Sequence, residues 1–175
     1  MDRAERWIAL SDGGAGLEAF LQMNFPRVEA VILDFYQAAE HLGKLAKAFH
    51  PGDEAAARDL QGRWCQQRKH EGGPALLATL QALDLRGRSQ MVRTTYDAEV
   101  GYFTNHVHRM DYPRYQSKGW QIGSGPVESA CKRVVGQRLK GAGMRWGEEG
   151  ADAVCHLRAW FLSEKGQWDA FWNRN

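Results

Sequence analysis

Residues 7–34 read WIALSDGGAGLEAFLQMNFPRVEAVILD, and the order of apolar runs in this stretch decides the fold class. Residues 7–11 form a short apolar run that stops at Asp12, and DGG is turn chemistry. The next segment, AGLEAFLQMNF, places Leu17, Phe20 and Leu21 on one helical face until Pro26 ends it. Residues 28–33, VEAVIL, are β-branched and apolar and read as a second strand that stops at Asp34. A further helix follows to about His50. Strand, helix, strand implies two parallel strands joined by a right-handed crossover. Parallel strands carry their carboxyl ends to the same edge, and open α/β sheets bind ligands beyond that edge. Asp12 and Asp34 each lie one residue past a strand, so this topology brings both carboxylates to one edge.

Two parallel strands do not make a stable open sheet alone, and parallel sheets are ordinarily buried on both faces. The expectation is therefore a domain entered partway, with further strands upstream of Trp7. The 175 residues suffice for one domain with a core, and 43% hydrophobic with 25% charged is an ordinary globular mix. No apolar run approaches the roughly 18 residues that suggest a membrane span, and the N-terminus lacks a basic-then-apolar leader. Three scattered cysteines without a Cys-x-x-Cys argue against a disulfide framework or a zinc site and suit a reducing cytoplasm.

Downstream the chain reads as helical. Residues 53–70 repeat apolar positions at 56, 60 and 64, and PALLATLQALDL opens with Pro74 in a first turn. From 88 to 110, Val92, Tyr96, Val100, Phe103, Val107 and Met110 keep a spacing of three or four. DYPRYQSKGW breaks that helix. His106 and His108 face opposite ways without metal spacing and read as ordinary surface or core residues. A helix from Gly125 to about Lys140, a loop GAGMRWGEEG, a helix over 150–163 and an aromatic WDAFW expected to pack on the body complete the chain. The coarse organisation is 1–52, 53–118 and 119–175.

Residues 119–140, GWQIGSGPVESACKRVVGQRLK, set one acid in a basic segment. The nineteen residues after Glu128 contain Lys132, Arg133, Arg138, Lys140 and Arg145 and no acid. With Gly125 as cap and Pro126 as first residue, Glu128 falls in the first turn, where the helix N-terminus favours a carboxylate. Such acids are common, and Lys132 is a ready partner four residues on. A metal ligand also needs a permanently ionised oxygen, so both readings stand on the residues alone. IGSG is a weak candidate phosphate cradle, lacking the dinucleotide pattern and the P-loop lysine. The five cations read equally as a solvated face or as phosphate contacts, and Trp146 as a base-stacking or a packing residue.

AVILDFYQAAEHL, followed by YPRYQSKGWQIGSGPVESACKRVVGQRLKGAGMRWGEEGADAVCHLRA, resembles the catalytic half of bacterial insertion-sequence DDE transposases of the ISKra type, related in pattern to Mutator elements. The resemblance implies a ribonuclease-H-like fold, here an incomplete α/β, mostly helical version with two parallel strands and a helical insertion over 53–118. It implies that Asp12 is the second catalytic aspartate and Glu128 the final glutamate, both binding Mg2+ or Mn2+ for in-line attack on a phosphodiester once the site is complete. Asp34 matches the acidic member of a Cys-or-Asp, two residues, His motif and would be a supporting group. Gln37 stands where that motif has His, and glutamine does not titrate.

Lys132, Arg133, Arg138, Lys140, Arg145 and Trp146 would then contact DNA, at transposon ends and target, with a second copy or a full-length transposase as protein partner. Membrane association is not expected, and a cytoplasmic, nucleoid-associated location is. The first catalytic aspartate would lie upstream of residue 1, so the isolated chain is expected to be inert as a nuclease. A non-catalytic DNA-binding or assembly module that regulates a full-length transposase is the alternative, and a helical remnant without activity a third.

Overall fold

The computed structural model describes residues 6–163 and 167–173 and divides into two compact units, Met1–Ser124 and Gly125–Asn175. The first unit opens with β1 (Trp7–Ser11), α1 (Leu17–Asn24), β2 (Val28–Leu33) and α2 (Phe35–Phe49). Both strands fall on the residues expected, and they pair in parallel from Ile8 opposite Ala30 to Ser11 opposite Leu33. A register irregularity lies between Trp7 and Ile8. Among the described residues the sheet has these two strands, and the protein is mostly helical.

The rest of this unit is α3 (Glu54–Glu71), α4 (Gly73–Gln81), α5 (Gln90–His106), a 3-10 turn (Val107–Arg109) and α6 (Tyr112–Ser117). Each start has a local cause. Asp34 caps α2, Asp53 caps α3 by accepting from the Ala56 N–H at 2.9 Å, and Ser89 caps α5. Pro74 sits in the first turn of α4. Gly73 is required by close approach, because a Cβ there would stand 2.7 Å from Met110 Cβ and 2.9 Å from the Val107 carbonyl. DYPRYQSKGW, expected only to interrupt, carries α6, which buries Tyr112 and Tyr115.

The core lies on β2 and α2–α6. Ile32, Leu33, Leu42, Leu45, Leu76, Leu80 and Phe103 are fully buried, with Trp64 nearly so. Residues 53–118 therefore supply much of the hydrophobic body that covers β2. Of the apolar positions expected on one helix over 88–110, Val92, Phe103 and Met110 are buried and Tyr96, Val100 and Val107 pack against the cluster, but α5 ends at His106 and Val107 and Met110 belong to the 3-10 turn and its end. Helix α1 forms where expected, but none of its residues is buried, and Phe20 and Met23 are 54% and 81% exposed. Two strands present too narrow a surface to cover a helical face.

The second unit contains α7 (Gly125–Cys131), a π turn (Lys132–Gly136), α8 (Gln137–Leu139), α9 (Glu148–Leu162) and α10 (Gln167–Trp172). The helix read from Gly125 to Lys140 thus contains a wider turn, which offsets the faces before and after it. Helix α9 starts two residues earlier than expected, taking Glu148 and Glu149 into its first turn. The aromatic end packs within this unit, with Trp168 5.4 Å from both Phe161 and Trp172, ring centre to ring centre. No described residue of the unit is buried. Among the described residues no helix is long and apolar enough to cross a membrane.

Candidate functional site

Parallel pairing of Ser11 with Leu33 places Asp12 and Asp34 at one edge of β1–β2. Their environments differ completely. Asp12 is exposed and opens a tight turn, its Oδ1 accepting from the Gly14 N–H at 3.0 Å. Gly13 takes φ +85°, and a Cβ there would lie 3.0 Å from His106 Nε2 and 3.1 Å from both Leu33 Cδ1 and the Tyr102 hydroxyl. Only glycine meets both demands. Gly13→Ala is expected to destabilise the protein by about 2 kcal/mol, read by urea unfolding of the full chain; unchanged stability would show that the turn relaxes freely.

Asp34 is 3% exposed and its two oxygens are occupied. Oδ1 accepts from the N–H groups of Tyr36 at 2.7 Å and Gln37 at 3.1 Å, and Oδ2 from that of Ser124 at 2.6 Å. The Phe35 N–H donates to the Ile122 carbonyl at 2.8 Å beside it. Gly123 makes the approach possible, since a Cβ there would stand 2.7 Å from the Tyr36 ring. Asp34 is therefore a clamp between β2, α2 and the IGSG segment. Gln37 is exposed on α2 and engages Asp34 through its backbone.

Four side chains outside the motif reading surround the Asp12 turn. Tyr102 donates its hydroxyl to the Asp12 carbonyl at 3.1 Å, and burial pushes this phenol up to about 12. His41 stacks on Tyr102 with ring centres 3.7 Å apart and planes 12° apart, and its Nδ1 bonds Glu99 Oε2 at 2.6 Å. His106, read as ordinary, packs edge-on to Tyr102 and faces Gly13. Burial, then the Arg109 guanidinium, push its imidazole below the usual histidine range. His108 instead bonds Glu18 of α1 at 2.9 Å. The sequence held a signal for this network: Glu99 is an acid on the apolar face of α5, and His41 follows Gln37 by one helical turn.

Glu128 lies in the first turn of α7, in the second unit, and is exposed. Lys132 and Arg133 occupy the π turn, Arg138 lies on α8, and Lys140, Arg145 and Trp146 belong to the segment before α9. All five cations are exposed. Arg158 of α9 ties this segment down, donating to the Arg133 carbonyl from Nε at 3.0 Å and from a terminal nitrogen at 2.5 Å.

A divalent-ion centre needs several carboxylate oxygens without other partners. Among the described residues no group of three or more His, Cys, Asp or Glu could hold a metal ion. At the strand edge Asp34 has its oxygens on backbone N–H groups, leaving Asp12 as the carboxylate that faces solvent. The groups at this edge do not by themselves fit a two-metal centre. No family model, curated protein or solved structure matches the chain.

Proposed function

We propose that the chain is the C-terminal portion of the ribonuclease-H-like catalytic domain of a DDE transposase, and that by itself it binds DNA without cutting it. The observation that carries the reading is the contrast at the strand edge: Asp12 keeps an exposed carboxylate in a rigid turn, while Asp34, one strand over, is fully engaged in backbone hydrogen bonds. That contrast suits one reacting carboxylate and one supporting group. The exposed cations following Glu128 supply the phosphate contacts. In the assembled enzyme Asp12 and Glu128 would share the metal-binding role, and DNA transposition would be the activity of the whole. The parallel pair and the resemblance over 119–146 support the assignment.

The test is binding of a labelled 25-base-pair duplex by fluorescence anisotropy between 50 and 200 mM salt. Five phosphate contacts give a slope of about −4.5 in log affinity against log salt, a loss of about 500-fold across that range. Neutralising Lys132, Arg133, Arg138, Lys140 and Arg145 together is expected to flatten the slope, and Glu128→Gln to leave it. No binding at 50 mM, or binding indifferent to salt, would defeat the DNA reading. Mg2+-dependent cutting that disappears in Glu128→Gln would overturn the claim that the chain alone is inert.

A further inference from the structure

The second unit holds an open cavity of about 540 Å3, whose lining includes Met144, Trp146, Phe161 and Trp168 together with Arg138 and Arg158. That volume falls within the roughly 300–1,000 Å3 of pockets that take small organic groups. We propose that this cavity is a binding site for an unpaired nucleobase of single-stranded DNA. The proposal rests on the DNA-binding reading and specifies the form of DNA that the unit prefers.

Three features favour this occupant. The walls are aromatic and apolar yet solvent-facing, with Trp146 43% and Phe161 58% exposed, which is costly unless something flat and apolar stacks on them. The lining contains two guanidinium groups and no acid, so a ligand with an apolar face and a negative charge complements it. An apolar protein helix would leave those guanidiniums facing an uncharged surface. Arg138 and Met144 bring the segment 132–145 to the cavity, and the five cations of that segment would track the backbone that carries the stacked base.

The geometry is held in place. Arg158 is fixed by its bonds to the Arg133 carbonyl and to Gln137 Oε1 at 3.3 Å, and Trp168 is braced edge-on by Phe161. Trp146 stands on the loop between α8 and α9, where Gly143 takes φ +76°. Base pairing and stacking within a duplex hide the faces such a site needs, so the pocket selects single strands or bases already extruded.

The experiment compares a labelled 15-nucleotide single strand with the same sequence as a duplex, at 150 mM salt, on the full chain. The intact protein is expected to favour the single strand by about tenfold, with Trp146→Ala losing about tenfold on the single strand and less than twofold on the duplex. Trp146→Phe keeps a stacking ring and is expected to stay within about threefold of the parent. Equal binding of both forms, or equal loss on both in Trp146→Ala, overturns the base site while salt-sensitive duplex binding keeps the DNA reading alive. Absence of binding to either form at 50 mM removes both. Self-association of the parent that vanishes in Trp146→Ala, seen by sedimentation, would identify the face as a contact between copies and defeat the proposal.

Discussion

Asp34→Ala is expected to lower the unfolding free energy of the full chain by about 3–5 kcal/mol, while Asp12→Asn changes it by less than about 0.5 kcal/mol. The two aspartates occupy equivalent places after parallel strands, so the difference comes from their partners. Asp34 caps α2 through two N–H groups and reaches Ser124 through the third. Loss of a cap costs about 0.5–2 kcal/mol, and a donor left buried without an acceptor about 1–3 kcal/mol. Asp34→Asn keeps one acceptor for α2 but sets an amide N–H against the Ser124 N–H, and its expected cost is about 1–3 kcal/mol. Urea unfolding followed by far-UV circular dichroism measures all three variants. Equal tolerance of Asp12→Asn and Asp34→Ala would refute the division between exposed carboxylate and clamp. Ser124 is the last residue before α7, so the clamp fixes the point at which the chain leaves the first unit.

The strand edge was legible in the sequence because its signals are local. Residues 7–11 and 28–33 alternate with turn chemistry and a helix too short to be anything but a crossover, and the carboxyl edge follows from parallel pairing. What fills that edge was not legible. Ser124 lies 90 residues from Asp34 and Tyr102 90 residues from Asp12, and no periodicity reports such distances. Arg68 and Arg109 look like surface cations on helices, yet both are buried. The π turn at 132–136 was hidden for another reason: its residues have ordinary helix propensities, and only the hydrogen-bond pattern distinguishes it. The spacing of Leu17, Phe20 and Leu21 marks an apolar face on α1, but spacing alone does not say whether a neighbour covers it.

Arg109→Leu is expected to destabilise the chain by about 3–5 kcal/mol, comparable to breaking a buried ion pair. The Arg109 guanidinium is 1% exposed and lies across the carboxyl ends of both strands. It donates to the Val31 carbonyl at 3.3 Å, the Ser11 carbonyl at 3.4 Å, the Ile32 carbonyl at 3.5 Å and the Ser11 hydroxyl. Among the described residues its one ion pair is with Glu18 Oε2 at 4.0 Å, so backbone carbonyls carry most of the neutralisation. Buried ion pairs are often replaced by apolar residues without loss, because both partners leave together. Here three of the partners are main-chain oxygens, which no substitution removes, and an apolar side chain leaves them without that donor. Arg109→Lys keeps the charge but not the planar fork that reaches several carbonyls at once, and is expected to recover less than half of the loss. Stability of Arg109→Leu within 1 kcal/mol of the parent, by urea unfolding, would show that the strand ends are held by their ladder alone.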